Sequence, residues 1–317
     1  MFSSPDFYLG NISMGNNSFV NEVFIYNCIE IFYILYTIKI KTMENNCGIV
    51  LKGNRTHEGL NMKKVKITEY RDGLHSTSLR IAEEAILHVE INEMSYDVII
   101  SPSEIKEFIY GNLLSEGFIM GLKDVTSFNE KKKKDLINVS LNLKTFEPSF
   151  LRKNYNIVWT ECGTVPEIQK RKGERLKKIK CKFKLKAKDI LGIQGKMRDR
   201  INEMEKTGGV HFSALFDKNL DMKQFSFDVG RHNAVDKVIG KNLLAGEPFE
   251  DRVLFTTGRI SSDIVVKCLR ARIPVVISKN SPLFTAISLA RKYNLCLIGY
   301  LRGKRFEIFS GEEVVVS

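Results

Sequence analysis

Cys162 is the residue of this sequence best suited to nucleophilic chemistry. It lies in "IVWTECGTVPEIQKR" (157–171), where the apolar run Ile157-Val158-Trp159 stops at Thr160 and a loop with Gly163 and Pro166 begins. The thiolate is the reactive form of cysteine, and an open, glycine-containing loop near cations lowers the thiol pKa and leaves sulfur accessible. Other readings are half of a missing Cys-x-x-Cys pair or an ordinary cysteine near a turn. Three further loops carry reactive side chains. "TGGVHFSALF" (207–216) pairs glycines for a tight turn and is expected to open a helix at His211, where an anion could bind or the imidazole could pair with the cysteine. A lone histidine equally serves as a hydrogen-bonded structural residue. "DVGRHNAVDK" (228–237) gathers Asp228, Gly230, Arg231, His232 and Asn233 at a strand-to-helix junction, a polar density that packing does not require. In "TTGRISSD" (256–263), Gly258 permits close backbone approach, Arg259 can hold phosphate bidentately, and Ser261 or Ser262 is expected to cap the next helix. The Lys-Ser/Thr ending of a Walker loop is missing.

The elements around these loops follow from periodicity. "VKITEYR", "AILHVEIN" (85–92), "YDVIIS" (96–101) and "LINVSLNL" (136–143) read as strands, with "KKKK" (131–134) as a solvated run. "SPSEIKEFIYGNLLSEGFI" (101–119) reads as a helix that Ser101, Pro102 and Glu104 begin and Gly117 ends. From "FSFDV" (225–229) onward, strands at 252–257, 274–278 and 295–301 alternate with helices at 230–245, 261–273 and 282–293. That order predicts an α/β fold with a mainly parallel sheet flanked by helices, after a β-rich N-terminal part. Ligands of such sheets bind outside the carboxyl ends of the strands. Cys268 and Cys296 fall in a helix face and a strand and read as structural. "GIQGK" (192–196) is too short and isolated to count as another site.

In "KKIKCKFKLKAKDI" (177–190), lysines at every second position predict a strand with all of them on one face and Cys181 on the other. Such a face protects an edge strand from aggregation; the alternative is a landing surface for an acidic partner or polyphosphate. Across 317 residues, 49 Lys and Arg against 37 Asp and Glu leave +12, which favours phosphates, nucleotides, nucleic acid or an acidic protein face, and equally suits a chain kept soluble by lysine. The six cysteines are dispersed without a Cys-x-x-Cys, so neither a zinc ribbon nor a dithiol redox motif is available; nothing in their spacing suggests a disulfide framework, and a reducing cytoplasm is expected. "HVE" (88–90) matches half of a zinc-deaminase signature, but no P-C-x-x-C accompanies it, and no zinc is expected. The lysine face carries no interleaved aromatics, so nucleic acid is not the expected partner. "FIYNCIEIFYILYTIKI" (24–40) is short of a membrane span and interrupted by Asn27, Glu30 and Lys39. Residues 1–61 are therefore expected to be an extension, through a misread start or disorder, with the folded domain at 62–317 and no membrane attachment.

"TGGVH", "DVGRHNAVDKVIG", "TTGRISSDIVVK", "PVVISK" and "LIGYLRGKRFEIF", in that order, resemble the blocks of the formate dehydrogenase accessory sulfurtransferases, the FdhD/NarQ family, from about Val65 to Phe309. The resemblance implies a cytoplasmic, cytidine-deaminase-like α/β protein, a homodimer. It implies that persulfide sulfur passes from a cysteine desulfurase to the molybdenum of the bis(molybdopterin guanine dinucleotide) cofactor that formate dehydrogenase, or a related molybdoenzyme, requires. Cys162 falls on the first cysteine of the family's Cys-Gly-x-Cys-Gly loop, whereas Val165 and Pro166 stand at its second cysteine and following glycine. The family's cofactor segment falls on Tyr300, Leu301, Arg302, Gly303, Lys304 and Arg305, and "RGKR" supplies three cations for a pyrophosphate. The missing cysteine leaves one-cysteine transfer, a cofactor-binding chaperone without sulfur chemistry, or a decayed paralogue as alternatives.

Overall fold

The computed structural model describes residues 62–133, 136–145, 176–205 and 209–317. Cys162 and the 24–40 segment lie outside the described residues. β1 (Met62–Tyr70) and β2 (Leu74–Ala82) form an antiparallel hairpin, and Asp72 and Gly73 both take positive φ at its turn. A four-stranded sheet follows, ordered β4 (Met94–Ile100), β3 (Ala85–Ile91), β6 (Leu136–Leu143), β5 (Val125–Lys133). Its central strands β3 and β6 bury every second residue, among them Leu87, Val89, Ile137, Val139 and Leu141, as the period-two pattern requires. β5 takes in Lys131–Lys133 from the expected solvated run, because an edge strand can keep lysines in water while its backbone pairs with β6.

The second sheet has six strands in the order β13 (Arg305–Ser310), β12 (Cys296–Arg302), β11 (Val275–Ser278), β10 (Val253–Thr256), β8 (His211–Phe216), β9 (Met222–Asp228). Only β10 with β11 and β11 with β12 run parallel, joined by crossover helices α4 (Ser262–Ala271) and α5 (Phe284–Tyr293). The three remaining pairs are antiparallel, so the sheet is mixed and the expectation of a mainly parallel one is corrected. The chain order could not show it, because β8–β9 and β12–β13 are joined by short turns that only antiparallel neighbours allow. His211 opens β8, not a helix: Phe212 to Phe216 are all buried between β9 and β10, as a central strand demands.

Alternate residues of these strands feed two cores. Leu254, Val276 and Leu297 face α1 (Ile105–Ser115), α3 (Arg231–Leu244), α4 and α5, and that core continues to the four-stranded sheet. Val253, Phe255, Val275, Ile277 and Cys296 face Ile190, Ile193 and Met197 of α2 (Ala187–Glu205). α2 takes in the last four residues, 187–190, of the stretch in which the sequence suggested a strand. The alternation of lysines and apolar residues holds from Lys178 to Lys186, but only Leu185–Lys186, as β7, pairs with another strand, β14 (Val315–Val316).

α1 and α3 touch backbone to backbone. A Cβ on Gly111 would lie 1.8 Å from the Asp236 carbonyl oxygen, and one on Gly240 would lie 1.7 Å from that of Glu107. The expected cap on α1 does not form: Glu104 sits at the N-cap with φ 57° and no side-chain cap bond. Ser101 and Glu104 are used across the fold instead. Glu104 accepts a 2.7 Å bond from Ser226 Oγ and pairs with Lys241, while Ser101 is buried against Asp228. Gly117, φ 72°, follows the helix end as expected.

Candidate functional site

Strand register brings the predicted loops to one edge. His211 lies opposite Asp228, Ser213 opposite Thr256, and Arg302 opposite Arg305. Thr256 and Ser278 end neighbouring parallel strands. The loops after β9, β10, β11 and β12 therefore leave the sheet side by side, at the edge where crossovers expose helix N-termini.

Asp228 organises the first of them. Its carboxylate accepts bonds from the amides of Ser101 (3.1 Å) and Gly230 (2.9 Å) and from Asn233 Nδ2 (2.9 Å), and it meets Lys237 Nζ at 2.6 Å, both ionic side chains being fully buried. Asn233 also donates to the Ile99 carbonyl at 2.9 Å, which leaves it a positioning part rather than a ligand-facing one. Gly230 is required because a Cβ there would come within 2.8 Å of Asn233 Nδ2. So held, α3 begins with Arg231 and His232 on the edge and has no side-chain cap.

Arg231 lies across the next loop. A Cβ on Gly258 would stand 2.8 Å from Arg231 Cβ and 3.0 Å from its Cδ, so the glycine serves the arginine's passage as well as the backbone. Arg231 Nε is buried and has no hydrogen-bond partner among the described residues. A buried guanidinium N–H without an acceptor is costly, and an arriving anion would satisfy it. Arg259, one residue beyond Gly258, is exposed. The expected Ser261 cap on α4 is not made; Ser261 Oγ lies 3.2 Å from His232 Nε2, which is also 3.9 Å from Asp263 Oδ2. Burial, reinforced by Lys267 and Arg231, lowers the His232 pKa to about 3, so the imidazole is neutral.

The "YLRGKR" segment forms the β12–β13 turn beside them. Arg302 donates from Nε to the Lys279 carbonyl at 3.0 Å and from Nη2 to Asn280 Oδ1 at 2.8 Å. Gly303 exchanges two 3.0 Å bonds with the side-chain amide of Gln194. That clamp draws "GIQGK", dismissed from sequence, into the edge. Leu301 is 1% exposed and points into the core, while Tyr300 is half-buried with φ 53°. Lys304 and Arg305 are exposed.

Sequence reasoning missed what stands behind the histidine. Lys267 Nζ reaches both Asp236 oxygens at 2.9 Å, Glu116 Oε1 at 2.7 Å and Ser115 Oγ at 3.0 Å. Burial opposes its charge, but Asp236 and Glu116 outweigh that and push its pKa up. The available signal was spacing: Asp236 falls one helical turn after His232, and Lys267 one turn after Asp263, so both pairs share a face. Cys268 and Cys296 are buried, and burial pushes the Cys296 thiol up to about 12, which removes both as nucleophiles. His88 of "HVE" is spent on Asp97, 2.6 Å away. Among the described residues no group of three His, Cys, Asp or Glu side chains comes together as metal ligands, and no helix is long and apolar enough to cross a membrane.

Fold and edge together define an α/β protein that presents arginines, a neutral histidine and two uncapped helix N-termini, groups that suit an anion. The chain belongs to the FdhD/NarQ family, whose sequence model matches residues 82–316. It is 30% identical over 263 residues to the sulfur carrier protein FdhD of Sulfurisphaera tokodaii, covering 81% of this chain and all of that one. It is 30% identical to the sulfur carrier protein FdhD of Staphylococcus aureus, covering 79% of this chain and 95% of that one, and 33% identical to that of Saccharolobus solfataricus, covering 67% and 80%. A solved structure described as a formate dehydrogenase accessory protein, from Desulfotalea psychrophila, shares the fold with a TM-score of 0.60 at 23% identity, covering 80% of this chain and 99% of that one.

Proposed function

We propose that this protein is a sulfur carrier. It takes persulfide sulfur from a cysteine desulfurase onto Cys162 and delivers it to the molybdenum of a bis(molybdopterin guanine dinucleotide) cofactor bound for formate dehydrogenase or a related molybdoenzyme. The Cys162 thiolate attacks the outer sulfur of the donor's persulfide; a new S–S bond forms as the old one breaks, and the donor cysteine leaves as its thiolate. The observation that carries the cofactor half of this reading is the orphaned Arg231 Nε beside the exposed Arg259 and the uncapped starts of α3 and α4. Arg231, Arg259, Lys304 and Arg305 hold the pyrophosphate of a guanine nucleotide arm; Arg302, Asn280 and Gln194 shape the loop that receives it. The names of the relatives support the sulfur half. Cys181, Cys268 and Cys296 are free thiols, in keeping with a reducing cytoplasm, where the protein works as a homodimer.

A second reading, a cofactor-binding chaperone without sulfur chemistry, is favoured by Val165 at the position of the family's second cysteine. Both readings need the cationic edge. A charged hydrogen bond is worth about 1.5–3 kcal/mol, so Arg231→Ala and Arg305→Ala are each expected to weaken guanosine diphosphate binding about tenfold or more. Titration calorimetry on the full chain reads this; unchanged affinity in the double variant refutes the site.

A further inference from the structure

The function proposed above leaves one feature of the molecule unused. From Lys178 to Lys186 inward and outward side chains alternate as along a strand: Ile179 is buried in the core that α1, α3, α4 and α5 cover, Cys181, Phe183 and Leu185 pack in the α2 core, and Lys178, Lys180, Lys182, Lys184 and Lys186 are exposed. Ile179 N–H donates to the Tyr293 carbonyl at 2.7 Å, and Leu185 enters the β7–β14 pair. Between them, among the described residues, the backbone of Lys180–Phe183 makes no hydrogen bond to another backbone group. None of the five lysines pairs with a carboxylate among the described residues; Lys184 alone is tied, to the Glu313 carbonyl. The segment is thus anchored as a strand is at both ends, and among the described residues no strand pairs with Lys180–Phe183, whose one bonded backbone group is the Phe183 carbonyl, held by Cys181 Sγ at 3.4 Å.

We propose that this ridge receives an extended acidic segment of a partner protein, which adds to Lys180–Phe183 as a strand. An unpaired extended backbone supplies the N–H and C=O groups for such addition, and side chains of alternate residues supply its selectivity. Exposed lysines recur at about 6.8 Å, the repeat of two residues along a strand, so carboxylates at every second position of the partner meet them in register. Protection of an edge from self-pairing calls for charge alone, whereas five lysines at every second position also offer a repeat that a partner strand can match. Single-stranded nucleic acid fits less well, because Phe183 faces inward and offers no base a stacking surface. The ridge reaches α5 at Tyr293, just before β12 begins, and so lies at the edge of the sheet opposite the anion-receiving loops. Its occupant binds independently of the guanine nucleotide.

The test uses the full chain and two fluorescein-labelled peptides of one composition, Thr-Glu alternating and Thr-block-Glu-block, with oligouridylate as a third probe. Anisotropy at fixed salt is expected to show the alternating peptide binding at least tenfold tighter than the block peptide. Lys180→Glu/Lys182→Glu should abolish that preference. Lys182→Pro, which removes an N–H, should cost about tenfold more than Lys182→Ala, which keeps it. Circular dichroism confirms that each variant folds, and the doubly reversed surface variant carries the test if the proline does not. Equal affinity for the two peptides, equal effects of proline and alanine, or tighter binding of oligouridylate than of either peptide overturns the proposal.

Discussion

Replacing Gly240 with alanine should destabilise the protein although alanine is the better helix former. In an open helix position the exchange gains about 1 kcal/mol. At Gly240 the new Cβ would stand 1.7 Å from the Glu107 carbonyl oxygen and 2.8 Å from the Gly111 amide nitrogen, and neither backbone atom can swing aside as a side chain does. Ordinary contact near 3.5 Å then requires α1 and α3 to part by roughly 1.5–2 Å. That separation opens the packing of Phe108, Ile109 and Leu113 against Val235, Val238 and Ile239, all almost completely buried. A gap of about 0.5–1 Å already forfeits a quarter to a half of each dispersion contact, and overpacking costs typically about 1–3 kcal/mol. The net loss should be about 2 kcal/mol or more. Gly195 of α2 provides the control, since a Cβ there meets nothing within 4 Å, and Gly195→Ala should stabilise by up to about 1 kcal/mol. With a urea slope of about 1–3 kcal/mol per molar, the two unfolding midpoints should differ by about 1 M or more, on opposite sides of the parent. A Gly240→Ala protein as stable as Gly195→Ala would refute the close crossing of α1 and α3.

Lys237→Met should cost about 3–5 kcal/mol in urea unfolding, because it strands the fully buried Asp228 carboxylate without its cation; Asp228→Asn/Lys237→Met should recover part of that loss, and a single-variant cost below about 1 kcal/mol would contradict the buried pair. His232 should make the protein acid-labile: its folded pKa of about 3 lies below the unfolded 6.5, so the unfolded chain takes up the proton first and stability present above pH 6.5 is lost as pH falls toward 3, at up to about 1.4 kcal/mol per pH unit. His232→Gln should flatten that slope in pH-dependent unfolding, and identical slopes in parent and variant would contradict a neutral buried imidazole.

That the loops after β9, β10 and β12 carry clustered polar side chains was legible in the sequence because such clusters are local. Arg231, His232 and Gly258 sit where strands yield to helices, and glycine beside arginine is a pattern that short windows reveal. What faces them from afar was not. Asn280, Gln194 and Lys267 take their roles from partners far along the chain, and only the folded backbone brings Gln194 to Gly303 or Lys267 to Asp236. The misreadings have the same origin. Ser101 and Glu104 carry a capping pattern, but Ser101 Oγ accepts from the Val229 amide and Glu104 pairs with Lys241 instead of serving the helix end. Periodicity correctly described the faces of Lys178–Lys186, yet whether an extended segment joins a sheet depends on a neighbour that periodicity does not contain.

The decisive measurement is transfer of radiolabelled sulfur from a persulfidated cysteine desulfurase to the full chain, separated without reductant and mapped by mass spectrometry. Label is expected on the parent protein and on Cys181→Ala, carried as a persulfide at Cys162, and none on Cys162→Ala. Label that persists on Cys162→Ala, or a parent protein that takes up none while still binding guanosine diphosphate, would contradict it.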